Sequence, residues 1–462
     1  MSKQVVTVNP ATDEVIESFD AMDWDEVSSL MDSAVAVQSA WRNSPLQERA
    51  DKLRKLGQIL RDDVEHHATL ISREMGKPIT EARGEVLKCA LACDYYADNL
   101  VEFLAPKTVK TEAKNSYVSY EALGVVFAVM PWNFPYWQVI RFAAPTLAAG
   151  NGGILKHASN VTGSAIAIQH AIEKAGFPKH LFTSLVVADH SMVSKIVEDP
   201  RIAAVTLTGS EKAGASVAEA AGRALKKTVL ELGGSDPFVI LEDADSAAIA
   251  PFAVKARFIN TGQSCLCAKR FIVADNLIED FEGRIKSLVE ALKIGDPLDA
   301  NTQLGPLAKK AFVDDIDKQV QDSIAMGARL VTGGHRIDGP GNFYAPTILA
   351  DVTPDMPVFN QETFGPVLAL VGASSSEQAI TLANTTQYGL AASIWTKDPS
   401  IGVKLGAGIA SGALFVNGVV ASDPRLPFGG VKLSGYGREL SIEGLHEFMN
   451  VRAVWIGEMP TL

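Results

Sequence analysis

The chain has 462 residues, 47% hydrophobic and 21% charged, which is enough for roughly two to four domains with sizeable cores. A net charge of −12 without a basic block excludes a nucleic-acid surface, and no apolar run reaches the roughly 18 residues that span a bilayer. Four cysteines do not make a disulfide framework, no metal-site motif occurs, and the N-terminus lacks a secretion signal, so we expect a cytoplasmic, metal-free protein.

The first hundred residues are predicted to be helical. Apolar residues recur at helical spacing over 24–41 and again over 46–75, where a Gly-Lys-Pro sequence ends the pattern. A third helix is predicted from about 80 to 103. It contains Cys89 and Cys93, which we interpret as core residues because two thiols without a histidine pair make a poor zinc site.

After residue 103 the pattern changes to that of strands. The segment 109–133 alternates apolar and polar residues and predicts a pair of strands. From 125 to 232 short apolar strands alternate with alanine-rich helices, which indicates a parallel sheet covered by helices. A second α/β series is predicted from 237 to 430, and a last strand at 451–457.

A cysteine in a polar segment is the strongest sign of chemistry. Cys265 lies in FINTGQSCLCA, where the polar neighbours favour a reactive thiol over a buried thiol acting as a small hydrophobe. Glu231 precedes a Gly-Gly pair upstream, and a thiol with a carboxylate partner suggests an enzyme that holds its substrate as a thioester. Cys267 is either a packing residue or a redox switch, because a disulfide with Cys265 would be strained and easily reduced.

Three further motifs have a functional and a structural interpretation. Gly209, Ser210 and Gly214 lie between a strand and a helix, where free amides and a hydroxyl bind phosphate or simply form a turn. Lys156 ends a neighbouring strand and is either a nucleotide contact or a surface charge. Asn133 lies between the two prolines of PWNFP, where its amide either donates to an oxyanion or caps a helix.

Five motifs occur in a characteristic order: PWNFP, LELGG, NTGQSC, QETFGPV and PFGGVKLSGYGRE. With them the chain resembles the NAD(P)-dependent aldehyde dehydrogenase family over essentially its whole length, and within it the succinate-semialdehyde dehydrogenase branch. The resemblance implies an α/β fold with a Rossmann-like cofactor domain at 1–102 and 122–232, and an α/β catalytic domain at 233–446. It also implies a β-strand oligomerisation arm at 103–121 and 447–462, and a homodimer or homotetramer.

The resemblance also implies the roles of individual residues. Cys265 would be the nucleophile and Glu231 the general base, while Asn133 and the Cys265 amide would form an oxyanion hole. The residues implied to bind NAD or NADP are Trp132, Asn133, Lys156, His157, Ser159, Thr208, Gly209, Ser210, Leu232, Glu362 and Phe364.

Within that set, Lys156 would contact the adenosine ribose, Ser210 the pyrophosphate and Glu362 the nicotinamide ribose. Many relatives carry an acid at the position of Ser159, which bonds the ribose 2′-hydroxyl and repels a 2′-phosphate. Serine removes the repulsion, so we expect NADP to be accepted alongside NAD. His157 stands where relatives have proline, and nothing in the sequence explains it.

The substrate implied is a small aldehyde with a distal carboxylate. Arg141, in PYWQVIRFAAP, takes the place of an arginine that binds this carboxylate in the branch, whereas Ile259 stands where a second arginine is usual. Ser422 and Arg425 lie in the loop that closes the substrate tunnel and are candidates for the missing contacts, although Arg425 also fits a surface charge. Trp137 is a further candidate substrate contact.

The function expected from these motifs is oxidation of succinate semialdehyde to succinate, a step of 4-aminobutyrate and glutamate degradation. Broad oxidation of medium-chain or aromatic aldehydes is an alternative, with Tyr136 and Trp137 lining an apolar tunnel. A CoA-acylating dehydrogenase is disfavoured because such enzymes typically lack the Glu231 base. A catalytically silent structural protein on the same fold and a cysteine hydrolase are alternatives of other classes.

Overall fold

The computed structural model describes residues 4–189 and 191–459, so the outermost three residues of the predicted cofactor domain and of the predicted arm lie outside the described residues. The described residues form eighteen strands and fifteen α-helices. The strands are β1 Gln4–Val8, β2 Val15–Asp20, β3 Lys107–Thr108, β4 Asn115–Ala122, β5 Val125–Met130, β6 Gly152–His157, β7 Phe182–Leu185, β8 Ile202–Thr208, β9 Lys227–Glu231, β10 Asp236–Ile240, β11 Ala268–Ala274, β12 Arg329–Thr332, β13 Thr347–Ala350, β14 Val367–Ala373, β15 Ala391–Trp395, β16 Ala413–Val416, β17 Gly435–Tyr436 and β18 Met449–Ile456. The helices are α1 Trp24–Trp41, α2 Leu46–Asp62, α3 Val64–Met75, α4 Ile79–Phe103, α5 Trp137–Ala148, α6 Thr162–Lys174, α7 Ser191–Glu198, α8 Glu211–Arg223, α9 Ser246–Phe258, α10 Ile278–Glu290, α11 Lys310–Ala325, α12 Pro357–Asn360, α13 Ser376–Asn384, α14 Pro399–Gly406 and α15 Ser441–Glu447.

The first large sheet has six strands in the order β17-β9-β8-β5-β6-β7, and all of them except β17 run parallel. Its central strands are apolar runs buried on both faces, as expected for parallel strands covered by helices on each side. The helices α2 to α6 share a core with one face of this sheet, and α1, α7 and α8 share a core with the other. The predicted parallel α/β series is confirmed in this sheet.

The second large sheet has seven strands in the order β12-β13-β14-β11-β10-β15-β16 and is parallel except for β12. Separate hydrophobic clusters lie on its two faces. The α/β fold class with two sheet-based units is therefore confirmed. The predicted domain bounds stay a prediction, and β17 joins the first sheet although it lies within the range predicted for the catalytic domain.

A three-stranded antiparallel sheet with the order β18-β4-β3 joins the C-terminal strand to the segment after α4. The prediction that 109–133 forms a strand pair is wrong, because β4 and β5 belong to different sheets. The half-exposed β4 pairs with β18, whereas the buried β5 enters the parallel sheet beside β6 and β8.

The N-terminal helices are close to those predicted. The helix at 24–41 is observed as α1, which begins with a capping box in which Asp23 and Glu26 each bond the other's backbone. The helix expected at 46–75 is two helices that meet at Asp63, whose φ of −103° and ψ of 21° break the helical path. The third helix, α4, packs against α2, α3 and α5 and brings its buried face to the site described below.

The first sheet gathers the predicted site residues at one edge. Asn133 follows β5, while Lys156, Thr208 and Glu231 lie at the ends of β6, β8 and β9. Because these four strands are adjacent and parallel, their carboxyl ends meet. Cys265 approaches this edge from the second sheet, just before β11.

Candidate active site

A cavity of about 440 Å³ is lined by α4, the start of α5, the end of α9, the Cys265 segment and the loop 419–422. Cys265 lies on its wall with Trp137 and Arg141. Much of the remaining wall is apolar and includes Phe134 and Val420. A cavity of this size, mostly apolar with a few polar groups, is typical of a site for a small organic molecule.

The backbone just before Cys265 is strained. Asn260 and Thr261 have φ values of 53° and 56°, in the left-handed region that a β-branched residue rarely adopts, and Gly262 follows at 74°. A Cβ atom on Gly262 would lie 2.2 Å from the Gly365 carbonyl oxygen, so only glycine fits there. Strain of this kind costs on the order of 1–3 kcal/mol per residue and persists where the surroundings hold it in place.

Lys269 holds the Cys265 segment from inside the protein. Its buried ammonium donates to the carbonyl oxygens of Ser264 at 3.0 Å, Cys265 at 2.9 Å and Cys267 at 3.3 Å. It also lies 3.6 Å from a carboxylate oxygen of Glu362. One side chain thus fixes the nucleophile's backbone relative to a residue predicted to bind the cofactor.

Burial raises the pKa of the Cys265 thiol to about 12, and the nearby positive charges of Lys269 and Arg141 only partly oppose the shift. The thiol is therefore protonated at neutral pH in the free protein. Within residues 4–189 and 191–459, the Cys265 backbone N–H donates to no protein acceptor, which leaves it available to an oxygen bound beside the sulfur.

Asn133 lies directly against the Cys265 segment. Its side-chain Nδ2 donates to the Gln263 carbonyl at 3.0 Å, and an amide NH₂ group has a second hydrogen to offer. Its own carbonyl accepts from Lys77 Nζ at 2.9 Å and from Asn260 Nδ2 at 2.8 Å. The backbone of Asn133, the predicted oxyanion donor, is thus held in place, and one hydrogen of its side-chain amide is free to donate to a ligand.

Glu231 is buried at the end of β9, and both of its carboxylate oxygens lack a hydrogen-bond partner among the described residues. Burial raises its pKa well above the ordinary value; the neighbouring Glu439 carboxylate adds to the shift, and Arg141 and Arg438 oppose it. Glu439 forms a buried ion pair with Arg141. Burial thus favours the neutral form of the Glu231 carboxyl.

The cofactor residues predicted from the first sheet lie along its edge. Lys156 is buried, and its Nζ has no acceptor among the described residues; burial and then the charge of Lys309 lower its pKa. Ser210 caps α8, since its Oγ accepts from the Ala213 N–H at 3.3 Å. The hydroxyl hydrogen and the first amides of α8 remain free to donate to an anion such as a pyrophosphate.

Glu362 supports the Gly-Gly pair that follows Glu231. Its Oε1 accepts from the Gly234 N–H at 2.8 Å, and burial raises its pKa. A Cβ on Gly233 would lie within 2.8 Å of Glu362 Oε2 and within 2.7 Å of Glu211 Oε1. The carboxylate oxygens of Glu362 and Glu211 could accept hydrogen bonds from ribose hydroxyls.

Aromatic and aliphatic side chains complete the predicted cofactor region. The Trp132 ring stacks on Phe312 with centroids 4.8 Å apart and meets the edge of Phe364 at 5.8 Å. Leu232 packs on Gly214, where a Cβ would approach it to 2.6 Å. An unpartnered lysine, a helix N-terminus, two carboxylates and flat aromatic rings fit a dinucleotide with phosphate, ribose and base parts.

In the structure the His157 ring is hydrogen-bonded to the backbone, and the Ser159 side chain is exposed to solvent. His157 Nδ1 accepts from the Ala158 N–H at 3.0 Å, and Nε2 donates to the Pro135 carbonyl at 3.0 Å, so the ring ties the end of β6 to the PWNFP turn. Burial lowers its pKa to about 4, and the ring is neutral at physiological pH. Ser159 is exposed just beyond β6, where its side chain brings no negative charge.

Of the predicted substrate residues, the structure brings Arg141, Trp137 and Ser422 to the cavity wall. The Arg141 guanidinium already has partners there, because it pairs with Glu439 and its Nη2 donates to Thr208 Oγ1 at 3.2 Å. Thr208, predicted to bind the cofactor, therefore contacts Arg141.

Two predicted residues lie away from the cavity, and these predictions are corrected. The Arg425 guanidinium is exposed and pairs with its near neighbour Asp423 at 2.7 Å, as the alternative of a surface charge supposed. Tyr136 is buried with its hydroxyl 2.8 Å from His67 Nδ1, so it does not line an apolar tunnel. Ile259, in contrast, does line the cavity.

Among the charged residues of the site that sequence reasoning missed are Lys88, Lys269 and Glu439. Lys88 lines the cavity from α4, where a lone lysine among alanines is typical of a solvated face. Glu439 belongs to the PFGGVKLSGYGRE motif but was given no role, although a carboxylate this close to the other motifs was a usable signal. Cys267 is buried and donates weakly to the Ile259 carbonyl, and its redox role stays a prediction.

Residues 4–189 and 191–459 contain neither a cluster of metal-ligating side chains nor a membrane-spanning helix. No group of three or more His, Cys, Asp or Glu side chains is arranged to hold a metal ion. In the same part of the chain, no helix combines the length and the apolar character needed to cross a membrane.

Known proteins with a similar sequence form a consistent group. The model of the aldehyde dehydrogenase family matches residues 1–454. A probable succinate-semialdehyde dehydrogenase (NADP(+)) of Synechocystis sp. is 49% identical over 452 residues, which are 98% of this chain and 99% of the relative. A succinate semialdehyde dehydrogenase (NAD(P)+) of Escherichia coli is 46% identical over 97% of each chain.

Solved structures agree with the sequence comparison. The succinic semialdehyde dehydrogenase of Streptococcus pyogenes, crystallised in complex with NADP+, superimposes with a TM-score of 0.96 at 40% identity. The match covers 98% of this chain and 100% of that one. Both comparisons cover nearly the whole chain.

Proposed function

The chain belongs to the aldehyde dehydrogenase family, and from that membership we propose that it oxidises succinate semialdehyde to succinate with NAD or NADP. The observation that carries the proposal is the largely apolar cavity that the Cys265 thiol shares with the cationic side chains of Lys88 and Arg141. A thiol beside an apolar cavity suits an aldehyde, and positive charge in that cavity suits an aldehyde with a distal carboxylate.

Bond formation begins at Cys265. The thiol transfers its proton to a water molecule, and the sulfur attacks the aldehyde carbon, which leaves a negative charge on the former carbonyl oxygen. Asn133 Nδ2 and the Cys265 N–H donate to that oxygen, and a single well-placed donor of this kind contributes about 3–4 kcal/mol. Lys269 positions the Cys265 N–H through its bonds to the Ser264 and Cys265 carbonyls, and Asn133 is held by its bond to the Gln263 carbonyl.

The chemistry that the bound dinucleotide supplies is acceptance of a hydride from the aldehyde carbon. Lys156 and the N-terminus of α8 would hold the ribose and pyrophosphate of the dinucleotide, and Glu362 would accept from its second ribose. Ser159 leaves room without negative charge for a 2′-phosphate, so both NAD and NADP are accepted. The hydride loss leaves a thioester on Cys265.

Glu231 would complete the cycle as a general base. Its carboxylate, turned toward the cavity, would take a proton from the water that attacks the thioester carbon. The carbon–sulfur bond then breaks, Glu231 passes the proton to the departing Cys265 sulfur, and succinate leaves. A carboxyl whose pKa is raised by burial is a stronger base than a solvated one, which suits this step.

The exposed apolar side chains of the three-stranded sheet bear on the oligomeric state of the protein. We propose that the sheet β18-β4-β3 serves as an arm that joins subunits into a homodimer or homotetramer of a cytoplasmic enzyme, because β18 exposes Val451, Trp455 and Ile456. Light scattering of the purified protein tests this part, and a monomer at micromolar concentration would contradict it.

A second candidate function has its own support. The apolar wall, with Phe134, Trp137 and Leu266, favours broad oxidation of uncharged aldehydes. A panel measured by NAD(P)H formation separates the two functions, with succinate semialdehyde, its longer homologue, butyraldehyde and benzaldehyde as substrates. The proposed function predicts the highest kcat/KM for succinate semialdehyde and succinate as the product. Equal or higher kcat/KM for the neutral aldehydes would establish the second candidate.

A further inference from the structure

Four cationic side chains line the cavity beside Cys265, but they differ in what they already contact. Lys77 forms a buried ion pair with Glu85, and Arg141 forms one with Glu439. Lys255 is exposed at the surface. A cation that is already paired contributes little net charge to a ligand site.

Lys88 differs from the other three cations, because among the described residues it is neither paired with a carboxylate nor fully exposed. In the part of the chain that the structure describes, its Nζ forms no ion pair, and its hydrogen-bond acceptor is the hydroxyl oxygen of Ser422 at 2.7 Å. The ammonium also lies 4.2 Å from the centre of the Trp137 ring, which favours a cation over the ring face. Its charge is thus held in place without being neutralised.

The hydrogen bonds around Ser422 leave a second donor at the same point. Ser422 Oγ accepts from Lys88 Nζ at 2.7 Å and from Trp137 Nε1 at 3.1 Å. A hydroxyl has two acceptor positions and one hydrogen, so both acceptor positions are filled and the hydrogen is left to donate. Two remaining ammonium hydrogens and one hydroxyl hydrogen therefore converge on a site for an anionic oxygen.

The Lys88–Ser422 pair and the Cys265 thiol line the same cavity from different segments of the chain. Along α4, Glu81 accepts from the Asn260 N–H of the strained segment at 2.7 Å, and Lys88 follows seven residues later. At a rise of 1.5 Å per residue, this separation is about 10 Å along the helix axis. A short aldehyde whose carbonyl carbon is at Cys265 would have its far end directed toward Lys88.

We propose that Lys88, together with the Ser422 hydroxyl, binds the distal carboxylate of the substrate and so determines the specificity of the enzyme for a semialdehyde. This inference rests on the proposed function and moves the carboxylate contact from Arg141, whose guanidinium is held by Glu439, to a lysine on α4. It also explains why no arginine is needed at the position of Ile259, because Lys88 supplies the positive charge from α4.

The test compares two aldehydes of equal chain length, succinate semialdehyde and butyraldehyde, in the full-length protein with saturating NADP. Lys88→Met retains the length and apolar character of the side chain but loses the charge. We expect it to raise KM for succinate semialdehyde about 10- to 100-fold, the loss typical of a hydrogen bond to a charged group, with KM for butyraldehyde changed less than about twofold. Lys88→Arg should recover part of the affinity for the semialdehyde.

Arg83→Met is the matched control, because it removes a positive charge from the same helix but from an exposed ion pair with Glu65. It should leave both KM values unchanged. An unchanged KM for succinate semialdehyde in Lys88→Met would overturn the inference, and so would an equal rise for both aldehydes. If the unaltered enzyme does not oxidise succinate semialdehyde at all, the proposed function fails instead, so the two failures are distinguishable.

Discussion

The two ends of the cavity are built in different ways. At the reactive end, Cys265 lies in a strained backbone segment held by Lys269 and by the neighbouring Asn133 turn, mostly through bonds to main-chain atoms. At the recognition end, Lys88, Trp137 and a hydroxyl from the loop 419–422 meet only through side-chain contacts.

The difference indicates how the enzyme separates chemistry from selectivity. The reactive end acts on the aldehyde group, which every substrate shares. Substitutions there should therefore lower the activity with every aldehyde to the same extent. The recognition end consists of three side chains from segments far apart in sequence, and one substitution there should change which aldehyde is preferred.

Asn133→Ala should lower kcat about 10²- to 10³-fold, because it removes one donor to the developing oxyanion. The carbonyl contacts of residue 133 with Lys77 and Asn260 are made by the backbone, so they survive the substitution. Steady-state kinetics should show the same loss with succinate semialdehyde and butyraldehyde and little change in KM. A loss confined to one of the two aldehydes would contradict the division between the two ends.

Alkylation of the free enzyme by iodoacetamide should accelerate about tenfold for each pH unit between pH 7 and pH 9, because the Cys265 pKa of about 12 keeps the thiol mainly protonated over this range. The Cys265→Ser variant provides the background from the three buried cysteines, Cys89, Cys93 and Cys267. A plateau in the Cys265-specific rate below pH 8 would show that the reactive end holds a preformed thiolate.

Ser159→Glu extends the comparison to the cofactor region. A carboxylate near Lys156 should raise the Kd of NADP by roughly tenfold, because it repels the 2′-phosphate, and should leave the Kd of NAD within about twofold. Quenching of tryptophan fluorescence measures both constants without turnover. Ser159→Gln, of similar size but uncharged, is the control, and an equal loss of NADP affinity in that variant would attribute the effect to size.

The same division explains which parts were predictable from the sequence. The parallel strands are continuous apolar runs, and PWNFP, LELGG and NTGQSC are contiguous motifs, so the sheet edge and Cys265 were found from local patterns. The ion pair of Arg141 with Glu439 joins residues almost 300 positions apart, and no local pattern reports it. Lys88 was missed for the same reason, because its contact with Ser422 depends on how α4 packs against a distant loop.

The errors in the secondary structure have a similar cause. The segment 109–133 has the composition of a hairpin. However, the apolar β5 is buried in the parallel sheet, and the half-exposed β4 pairs with the C-terminal β18. The break between α2 and α3 at Asp63 carries no glycine or proline, so its sequence did not indicate the end of a helix.

The central claim is a thioester on Cys265 that Glu231 helps to hydrolyse, and Glu231→Gln tests it most directly. Rapid mixing of this variant with succinate semialdehyde and NADP should give a burst of one NADPH per active site, followed by turnover slowed about 10²- to 10⁴-fold. Mass spectrometry of the quenched protein should then find one succinyl group on the peptide that contains Cys265. Unslowed turnover, or a burst with Cys265 unmodified, would contradict the account.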